Sequence, residues 1–557
     1  MRTPARHAAA AVFSLAALLA ACGGGSETPA SASPEASRGQ VSTGGAAAKV
    51  SFYAASRFAE QATFGPTPAL IDELRSKGFE KWIDEQQAMA PTLIDVKPAE
   101  DWSDPTPQSV HVYRERELLR VMLVVPDQLR TRVSWSLSQF LVVSNRKAEA
   151  AGLLRWANLL QQQAFGRYDQ LLYELSVHPA MGNYLDNVQN RPKSTECPHC
   201  APNENFAREL MQLFSLGVYK LNPDGTAQRD RRGRFIETYT QRDVEEMARV
   251  LTGWQYDPDP PNRPNKNWGN WAKPMVPSTW PPERDAGQKT VLGKTFAAGR
   301  PAPDDLRDAI ALLMSHQNIA PFVATRLIQH LVKSNPTPAY VGRIAAVFRD
   351  NGKGVAGDLK AVVKAVLLDA EARAGDNPAV ARTDDGKLRE PVLHRTAVMR
   401  MLGCKRPFEN RWGVIRPALQ NPYNAESVFS FYAPTDRAPG SNLLAPEQKL
   451  LNADELTQRM GHWNWVRWND VTRTNDRTVL TDAGCDIEPL VKAFATSPRV
   501  FADHLSERYF RGAMPPTLRS NLEQLMKDAP WDARNPDDGA LWLLGYATNT
   551  PYFGVIK

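Results

Sequence analysis

The chain has 557 residues, of which 42% are hydrophobic and 23% are charged. These fractions are close to those of ordinary folded proteins, so they exclude a wholly disordered chain and a polytopic membrane protein. The net charge of +6 is small for this length and its bases are interspersed with acids, so we predict no nucleic-acid partner.

The first residues have the pattern of an export signal. Basic residues precede an apolar run over 8–19, which is too short to span a bilayer and is typical of a signal peptide. The run ends in Leu-Ala-Ala-Cys at Cys22, which resembles the bacterial lipobox. We therefore predict a lipoprotein signal peptide over 1–21 and lipid attachment at Cys22. The alternative is an ordinary secretory signal with an incidental cysteine.

Residues 22–50 are rich in Gly, Ser, Ala and Pro, which predicts a flexible tether. Gly23, in place of Asp, favours the outer membrane by resemblance to Gram-negative sorting rules. No later segment offers the roughly 18 uninterrupted apolar residues of a second crossing. We expect an exported outer-membrane lipoprotein, anchored through its lipid, that faces the periplasm or the cell surface.

From Ser51 onward, apolar residues recur with helical spacing. Ala54, Phe58 and Ala62 lie at i, i+4 and i+8, and a second run ends at Gly78. Similar amphipathic runs follow over 129–143, 168–177, 321–332, 341–348 and 359–368. We predict a mainly α fold, a large multi-helix globular body with long irregular loops and few strands. Its N-terminal helical region spans 51–375, and a C-terminal helical region over 376–557 packs on the first.

The segment 255–293 departs from this pattern, because it is rich in proline and asparagine and contains Trp268, Trp271 and Trp280. A long irregular insertion is often functional, and its tryptophans could stack on a sugar ring. The interpretation that we favour instead pins the loop to its own core through buried tryptophan.

A helix is predicted after Pro202, with Asn203 as its N-cap. Phe206 and three later apolar residues share one face of this helix. Glu204 and Arg208 form an i, i+4 pair on the opposite face, while Glu209 flanks the apolar face and loses part of its hydration.

Glu209 is the best catalytic candidate of this helix. In the functional interpretation it is an acid of raised pKa or a ligand that acts with Asp186, or with Asn203 and Asn205, and Glu204 is a further acidic candidate. In the structural interpretation, which we favour, an arginine from a neighbouring helix pairs with Glu209.

Thr240 and Asp243 have the spacing of a capping box. We therefore interpret Asp243 as a helix cap and not as a catalytic group.

Cys197 and Cys200 have the CxxC spacing of thiol oxidoreductases, but the residues before them resemble a loop and not a strand. We predict a structural disulfide between them, with redox activity or metal binding as alternatives. Cys404 and Cys485 could form a second bridge, although the sequence does not decide connectivity. The nine histidines form no HxxxH or HxH pair, and no nucleotide or hydrolase motif occurs in a suitable context, so we predict no metal and no cofactor.

Several phrases in one order resemble the bacterial family named Domain of Unknown Function 1800. They are RFAEQATFGPTPALIDEL from Arg57, GFEKWIDEQ from Gly78, LRTRVSWSLSQFLVVS from Leu129, HPAMGNYLDN from His178, PNENFARELMQLFSLGVYKLNPDG from Pro202, YTQRDVEEMARVLTGW from Tyr239, GKLREPVLHR from Gly386, NPYNAESVFSFYAP from Asn421 and LLAPE from Leu443. The polar family-motif residues that we single out are Asn203, Asn205, Arg208 and Asp243. Arg284 stands where the family often has a histidine, before Asp285 and Lys289, which weakens any metal or proton-transfer role there.

The resemblance implies a secreted or surface-associated bacterial protein, often encoded beside a member of Domain of Unknown Function 1501, which resembles alkaline phosphatases and sulfatases. It implies no reaction. We predict a cell-envelope scaffold or accessory lipoprotein for such an exported partner.

The alternative is a hydrolase or lyase that acts on an extracellular polymer through Glu209, Asp186 and Glu204. Carboxylates about 5 to 10 Å apart at the base of an open, tryptophan-lined cleft would favour the enzyme. Interior carboxylates paired with arginines would favour the scaffold.

Overall fold

A computed structural model describes residues 50–100, 107–258, 270–380, 382, 385–410, 413–417, 419–472, 479–531 and 535–557. The predicted signal peptide, Cys22, the tether up to residue 49 and Trp268 lie outside the described residues.

Helices dominate the described chain, which confirms the mainly α fold. They are α1 Phe52–Ala62, α2 Pro68–Lys77, α3 Phe79–Ala88, α4 Lys97–Glu100, α5 Pro107–Val124, α6 Gln128–Ser138, α7 Ala150–Gln163, α8 Tyr168–Ser176, α9 Pro179–Tyr184, α10 Asn205–Gln212, α11 Gln241–Val250, α12 Ala302–Ser315, α13 Ile319–Leu331, α14 Pro338–Arg349, α15 Leu359–Leu368, α16 Ala370–Ala374, α17 Pro391–Met401, α18 Ala453–Thr472, α19 Val479–Asp482, α20 Glu488–Thr496, α21 Pro498–Tyr509, α22 Pro516–Asp528 and α23 Pro536–Thr548.

The strands of the described residues are two or three residues long and pair into antiparallel two-stranded sheets. They are β1 Trp254–Gln255 with β2 Val276–Pro277, β3 Lys289–Val291 with β4 Lys294–Phe296, β5 Lys387–Leu388 with β8 Val555–Ile556, and β6 Glu409–Asn410 with β7 Gly413–Val414. The pairing of β5 with β8 brings the end of the chain to the entrance of α17.

The first two helices begin and end at residues that favour helix ends. The side chain of Ser51 caps α1 by accepting the N–H of Ala54, and Thr67 caps α2 in the same way, with Pro68 at its first position. Gly78 ends α2 with φ +79°, a left-handed conformation that favours glycine. Apolar side chains from both helices then enter the main core.

The first helix is tied to the C-terminal region by a buried carboxylate. Glu60 in α1 is bound by Arg389, between β5 and α17, at 2.9 Å and by Arg511, after α21, at 2.6 Å. Burial opposes ionisation, but the charges of Arg511 and Arg389 hold the pKa of Glu60 below its usual value. Three segments that are far apart in the sequence therefore meet at one ionised side chain.

A second buried group of ions joins the phrases that begin at Gly386 and Leu443. Lys387 lies 2.8 Å from Glu390 and 3.2 Å from Glu447, and all three side chains are buried. Gln420 donates to the second oxygen of Glu390 at 2.6 Å. Each interior charge in this group thus has a partner, which is the condition for burying it without a large loss of stability.

The span Lys49–Lys557 forms one compact unit. Within the described residues, no helix is both long enough and apolar enough to cross a bilayer.

We expect Glu60→Gln to lower the free energy of unfolding by about 3 to 5 kcal/mol, because it leaves two buried guanidinium groups without a counter-charge. Chemical denaturation followed by circular dichroism measures this loss. Glu73→Gln is the matched control, since Glu73 pairs with Lys77 on the exposed side of α2 and should change stability by no more than about 0.5 kcal/mol. Equal effects of the two substitutions would contradict the structural role of Glu60.

Candidate functional site

The helix after Pro202 begins one residue later than predicted. α10 starts at Asn205, and Glu204 holds the N-cap position without a side-chain bond. Asn203 is instead held in the preceding loop, because its N–H donates to the side chain of Asn190 at 2.7 Å. Its own side chain still accepts the N–H of Asn205 at 2.9 Å, so one free donor at the start of α10 is satisfied.

The polar side chains around α10 form two separate contacts. Glu204 lies 2.7 Å from Arg208, the i, i+4 pair that the spacing predicts, and also accepts from Gln241. Asp186 accepts from Asn205 at 2.8 Å and from Lys147 at 2.8 Å. Neither carboxylate is bonded to Glu209, so the three acidic candidates have different partners.

Glu209 has no counter-charge within ion-pair distance among the described residues, so the predicted pair with an arginine of a neighbouring helix is absent there. One of its carboxyl oxygens is buried and accepts no hydrogen bond. Burial raises the pKa of Glu209 to about 7, although Arg208 opposes the shift. Tyr184 and Tyr239 lie close enough for the charge of Glu209 to contribute to their own raised pKa values, behind the larger effect of burial. The result is a half-buried acid that is partly protonated at neutral pH.

Asp243 has a structural job at the start of α11. Its carboxylate accepts the backbone N–H of Thr240, while the side chain of Thr240 accepts the N–H of Asp243. The other oxygen of Asp243 accepts the N–H of Leu292 at 2.8 Å and so fastens the β3–β4 hairpin.

Arg284, which precedes Asp285, also serves the fold. Arg284 donates to the carbonyl of Val250 at the end of α11 at 2.7 Å and pairs with the fully buried Asp305. Lys289 binds the same carboxylate at 3.2 Å. Arg284 thus satisfies a backbone carbonyl at the end of α11, and the carboxylate of Asp305 is paired with cations.

The described tryptophans of the segment 255–293 differ in environment. Trp271 is 3% exposed and packs against Gly152 of α7, where a Cβ atom would come within 2.6 Å of the ring. Trp280 is 40% exposed, and the guanidinium of Arg191 lies 5.8 Å from its ring centroid. Trp271 therefore holds this segment on α7, while Trp280 lies at the surface.

The structure joins Cys197 to Cys200 and Cys404 to Cys485 by disulfide bonds. Cys197 and Cys200 lie in the loop between α9 and α10, where Cys200 donates its N–H to the carbonyl of Cys197 in a tight turn. Among the described residues, no group of three or more His, Cys, Asp or Glu side chains is placed to hold a metal ion.

A large concave surface lies elsewhere, in a cleft of about 1320 Å³. The phrase that begins at Asn421 forms one wall, the β6–β7 hairpin and the residues after it form another, and α18 completes the cleft. Its side chains include amides, aromatic rings and cations: Asn410, Asn421, Asn424, Phe429, Tyr432, Trp465, Arg146, Arg416 and Lys449. We refer to this surface as the Asn421 cleft.

The lining of the Asn421 cleft is net positive. Among the described residues that line it, Glu426 is the one carboxylate, and it is paired with Arg146 at 3.2 Å. Behind the wall, the buried Glu115 binds Arg416 at 2.8 Å and accepts from the side chain of Asn421 at 3.1 Å. The carbonyl oxygen of the Asn421 side chain is buried and accepts no hydrogen bond.

Two consecutive residues connect the cleft with the polar surface around α10. Arg146 pairs with Glu426 of the cleft, and its charge reaches Tyr184 beside Glu209. Lys147 pairs with Asp186, which in turn binds Asn205. The sequence did not predict the cleft, because its lining residues do not form a recognisable motif. The family phrase that begins at Asn421 nevertheless contains many of them.

The fold and this surface define a mainly helical protein with ion pairs in its interior and an open, positively charged cleft. A family profile described as "Protein of unknown function (DUF1800)" matches residues 57–555, so the chain belongs to this family. The family predicted from the phrases is confirmed. Neither the curated proteins nor the solved structures contain a match to the chain.

We expect Glu209→Gln to raise stability at pH 8 and to leave it unchanged at pH 5. A carboxyl group whose pKa is about 7 in the folded state and near 4.5 in the unfolded state binds more protons when folded, so wild-type stability falls as the pH rises through this window. The glutamine variant escapes this loss, and we expect a gain on the order of 1 kcal/mol at pH 8.

Denaturant unfolding at both pH values measures the difference. The control is Glu204→Gln, which breaks a partly exposed pair and should cost no more than about 0.5 kcal/mol at either pH. A lower stability of Glu209→Gln at both pH values would show that a cation pairs with Glu209 after all.

Proposed function

We propose that this protein is an accessory lipoprotein of the bacterial cell envelope that binds an exported polypeptide partner in the Asn421 cleft. The partner that the family resemblance suggests is a phosphatase- or sulfatase-like protein of the Domain of Unknown Function 1501 family. The lipid on Cys22 would anchor the complex at the outer membrane, and the flexible residues 22–50 would let the folded body extend away from the membrane surface.

The distribution of carboxylates is the observation that supports a binding role. Glu60, Asp305 and Glu390 are buried, and each is bound by arginine or lysine. The open cleft has amides, aromatic rings and cations, but only one carboxylate among its described lining residues. Polymer hydrolysis by the usual two-carboxylate mechanism needs a pair of acidic groups at such a surface, whereas aromatic and arginine side chains favour protein recognition.

Exposed aromatic rings give the cleft its apolar contact area. Phe429 is 43% exposed, and Trp465 lines the same cleft from α18. The partly exposed amide of Asn424 can form hydrogen bonds with a polypeptide backbone. The disulfides at Cys197 and Cys404 are compatible with an oxidising compartment, as an exported protein requires.

Glu209 supports the second candidate function, a hydrolase or lyase that acts on an extracellular polymer. Its pKa of about 7 suits a general acid, and Tyr184 and Tyr239 lie nearby. Such an enzyme would lose activity above pH 7 as Glu209 ionises, and Glu209→Gln would abolish the reaction. Release of products from envelope polysaccharide that is equal for wild type and Glu209→Gln would exclude this role.

Site-specific photo-crosslinking tests the binding role. We expect a photoreactive amino acid in place of Phe429 to cross-link an exported phosphatase- or sulfatase-like protein in intact cells, and Phe429→Ser to reduce its co-purification from envelope extracts at least tenfold. Phe235 is the matched control, because it is also 43% exposed but lies outside the cleft. Equal cross-linking from both positions, or equal capture by Phe429→Ser and Phe235→Ser, would refute the cleft as the docking site.

Cys22→Ser tests the anchor. We expect the variant to fold normally but to leave the membrane fraction entirely, because the body offers no spanning helix among the described residues. Fractionation in high salt with circular dichroism of the soluble body measures both properties. Membrane association of Cys22→Ser that survives high salt would contradict the lipid anchor.

A further inference from the structure

A small cavity adjoins the Asn421 cleft. His462 lines both spaces, and the cavity measures about 30 Å³, which leaves room for about two water molecules or one carboxylate group. Arg395 of α17 and Arg459 of α18 line the cavity, and Val398 and Val466 contribute apolar walls. The cavity therefore combines cationic groups with apolar surroundings.

Among the described residues, the two guanidinium groups in this cavity have one carboxylate near them, that of Glu455. Arg459 donates to Glu455 at 2.7 Å. Arg395 donates instead to the carbonyl of Ile415 at 3.1 Å and to Nδ1 of His462 at 3.3 Å, and none of the described carboxylates lies within ion-pair distance of it. Burial lowers the pKa of Arg395 to about 10, which leaves it charged at neutral pH. The cluster of Arg395, Arg459 and Glu455 thus has a net charge of +1.

His462 adds a neutral donor at the boundary between cleft and cavity. Because Arg395 donates to its Nδ1 atom, the ring proton must lie on Nε2. Burial lowers the pKa of His462 below its usual value, so the ring is neutral at neutral pH. The net charge of the cluster is therefore not changed by this histidine at neutral pH.

We propose that this cavity binds a carboxylate of the partner polypeptide, namely the side chain of an acidic residue. The inference rests on the proposed function, in which that polypeptide occupies the adjoining cleft. The guanidinium of Arg395 is partly buried and has no counter-charge among the described residues, so a bound anion would offset part of its lost hydration. One uncompensated positive charge matches a monoanionic carboxylate better than a phosphate dianion, and the valine walls accept the aliphatic stem of an acidic side chain.

Thermal unfolding of the full chain in the presence of small probes tests the subsite. At pH 7.5 and constant ionic strength, propionate should raise the melting temperature saturably, whereas propionamide should not. Inorganic phosphate should act more weakly than propionate. An equal effect of propionamide, or a larger effect of phosphate, would overturn the carboxylate subsite.

Two variants localise the effect with opposite signs. Arg395→Gln should raise the propionate concentration at half-saturation at least tenfold, while Arg146→Gln, a cleft residue outside the cavity, should leave it unchanged. Glu455→Gln removes the one nearby carboxylate among the described residues and should lower the half-saturation concentration, which keeps the test valid if Arg395→Gln fails to fold. Unchanged propionate binding in Glu455→Gln would refute the subsite.

The subsite and the proposed function can fail separately. Saturable propionate binding that Arg395→Gln weakens, together with no partner cross-linked from position 429, would retain the subsite and reject the docking role. Partner capture that Phe429→Ser abolishes, together with no propionate effect, would retain the docking role and reject the subsite.

Discussion

The fold depends on one requirement, that carboxylates such as Glu60, Asp305 and Glu390 meet a cation when they are buried. Glu60 shows the principle, because it draws Arg389 and Arg511 to the first helix from positions more than three hundred residues away. Loss of this carboxylate would leave both arginines without their counter-charge, and breaking a buried ion pair is strongly destabilising. The same logic places Lys387 between Glu390 and Glu447, and Asp305 among Arg284, Lys289 and Arg300.

This requirement explains why conspicuous charged residues of the family phrases are poor guides to chemistry. The acidic residue of RFAEQ and the lysine and glutamate of GKLREP are used inside the body, where solvent and substrates do not reach them. Glu209 departs from this requirement, because it has no opposite charge within ion-pair distance among the described residues. Arg395 has none either, and like the buried Arg132 and Arg400 it donates to backbone carbonyls. Departures of this kind are where function is sought first.

The helical architecture could be predicted because it depends on local spacing and capping residues. The boundaries of α2 and α15 follow Thr67, Gly78 and Asp358 closely. The start of α10 falls one residue after the predicted position, and the N–H of Asn203 bonds to the side chain of Asn190, thirteen residues earlier. Long-range partners of this kind leave no local signal.

The candidate site shows the same limit. The burial of Glu209 followed from its position beside the apolar face, but the absence of an arginine partner did not, since that depends on how separate helices pack. The Asn421 cleft was hidden for a related reason. Its walls come from a hairpin, a long irregular segment and α18, and only the folded chain brings them together.

The bond between Cys404 and Cys485 has a further consequence for this cleft. Apart from Arg146, every described residue that lines the cleft lies between these two cysteines in the sequence, so the bond closes the cleft-forming chain into a covalent ring. A proteolytic cut anywhere within the ring would leave both ends attached to the body. Disulfides persist in oxidising compartments and are rare in the cytosol. In the exported lipoprotein that we propose, the ring would therefore close only after the chain leaves the cytoplasm, and a newly made chain would reach its export route before the cleft is covalently fastened.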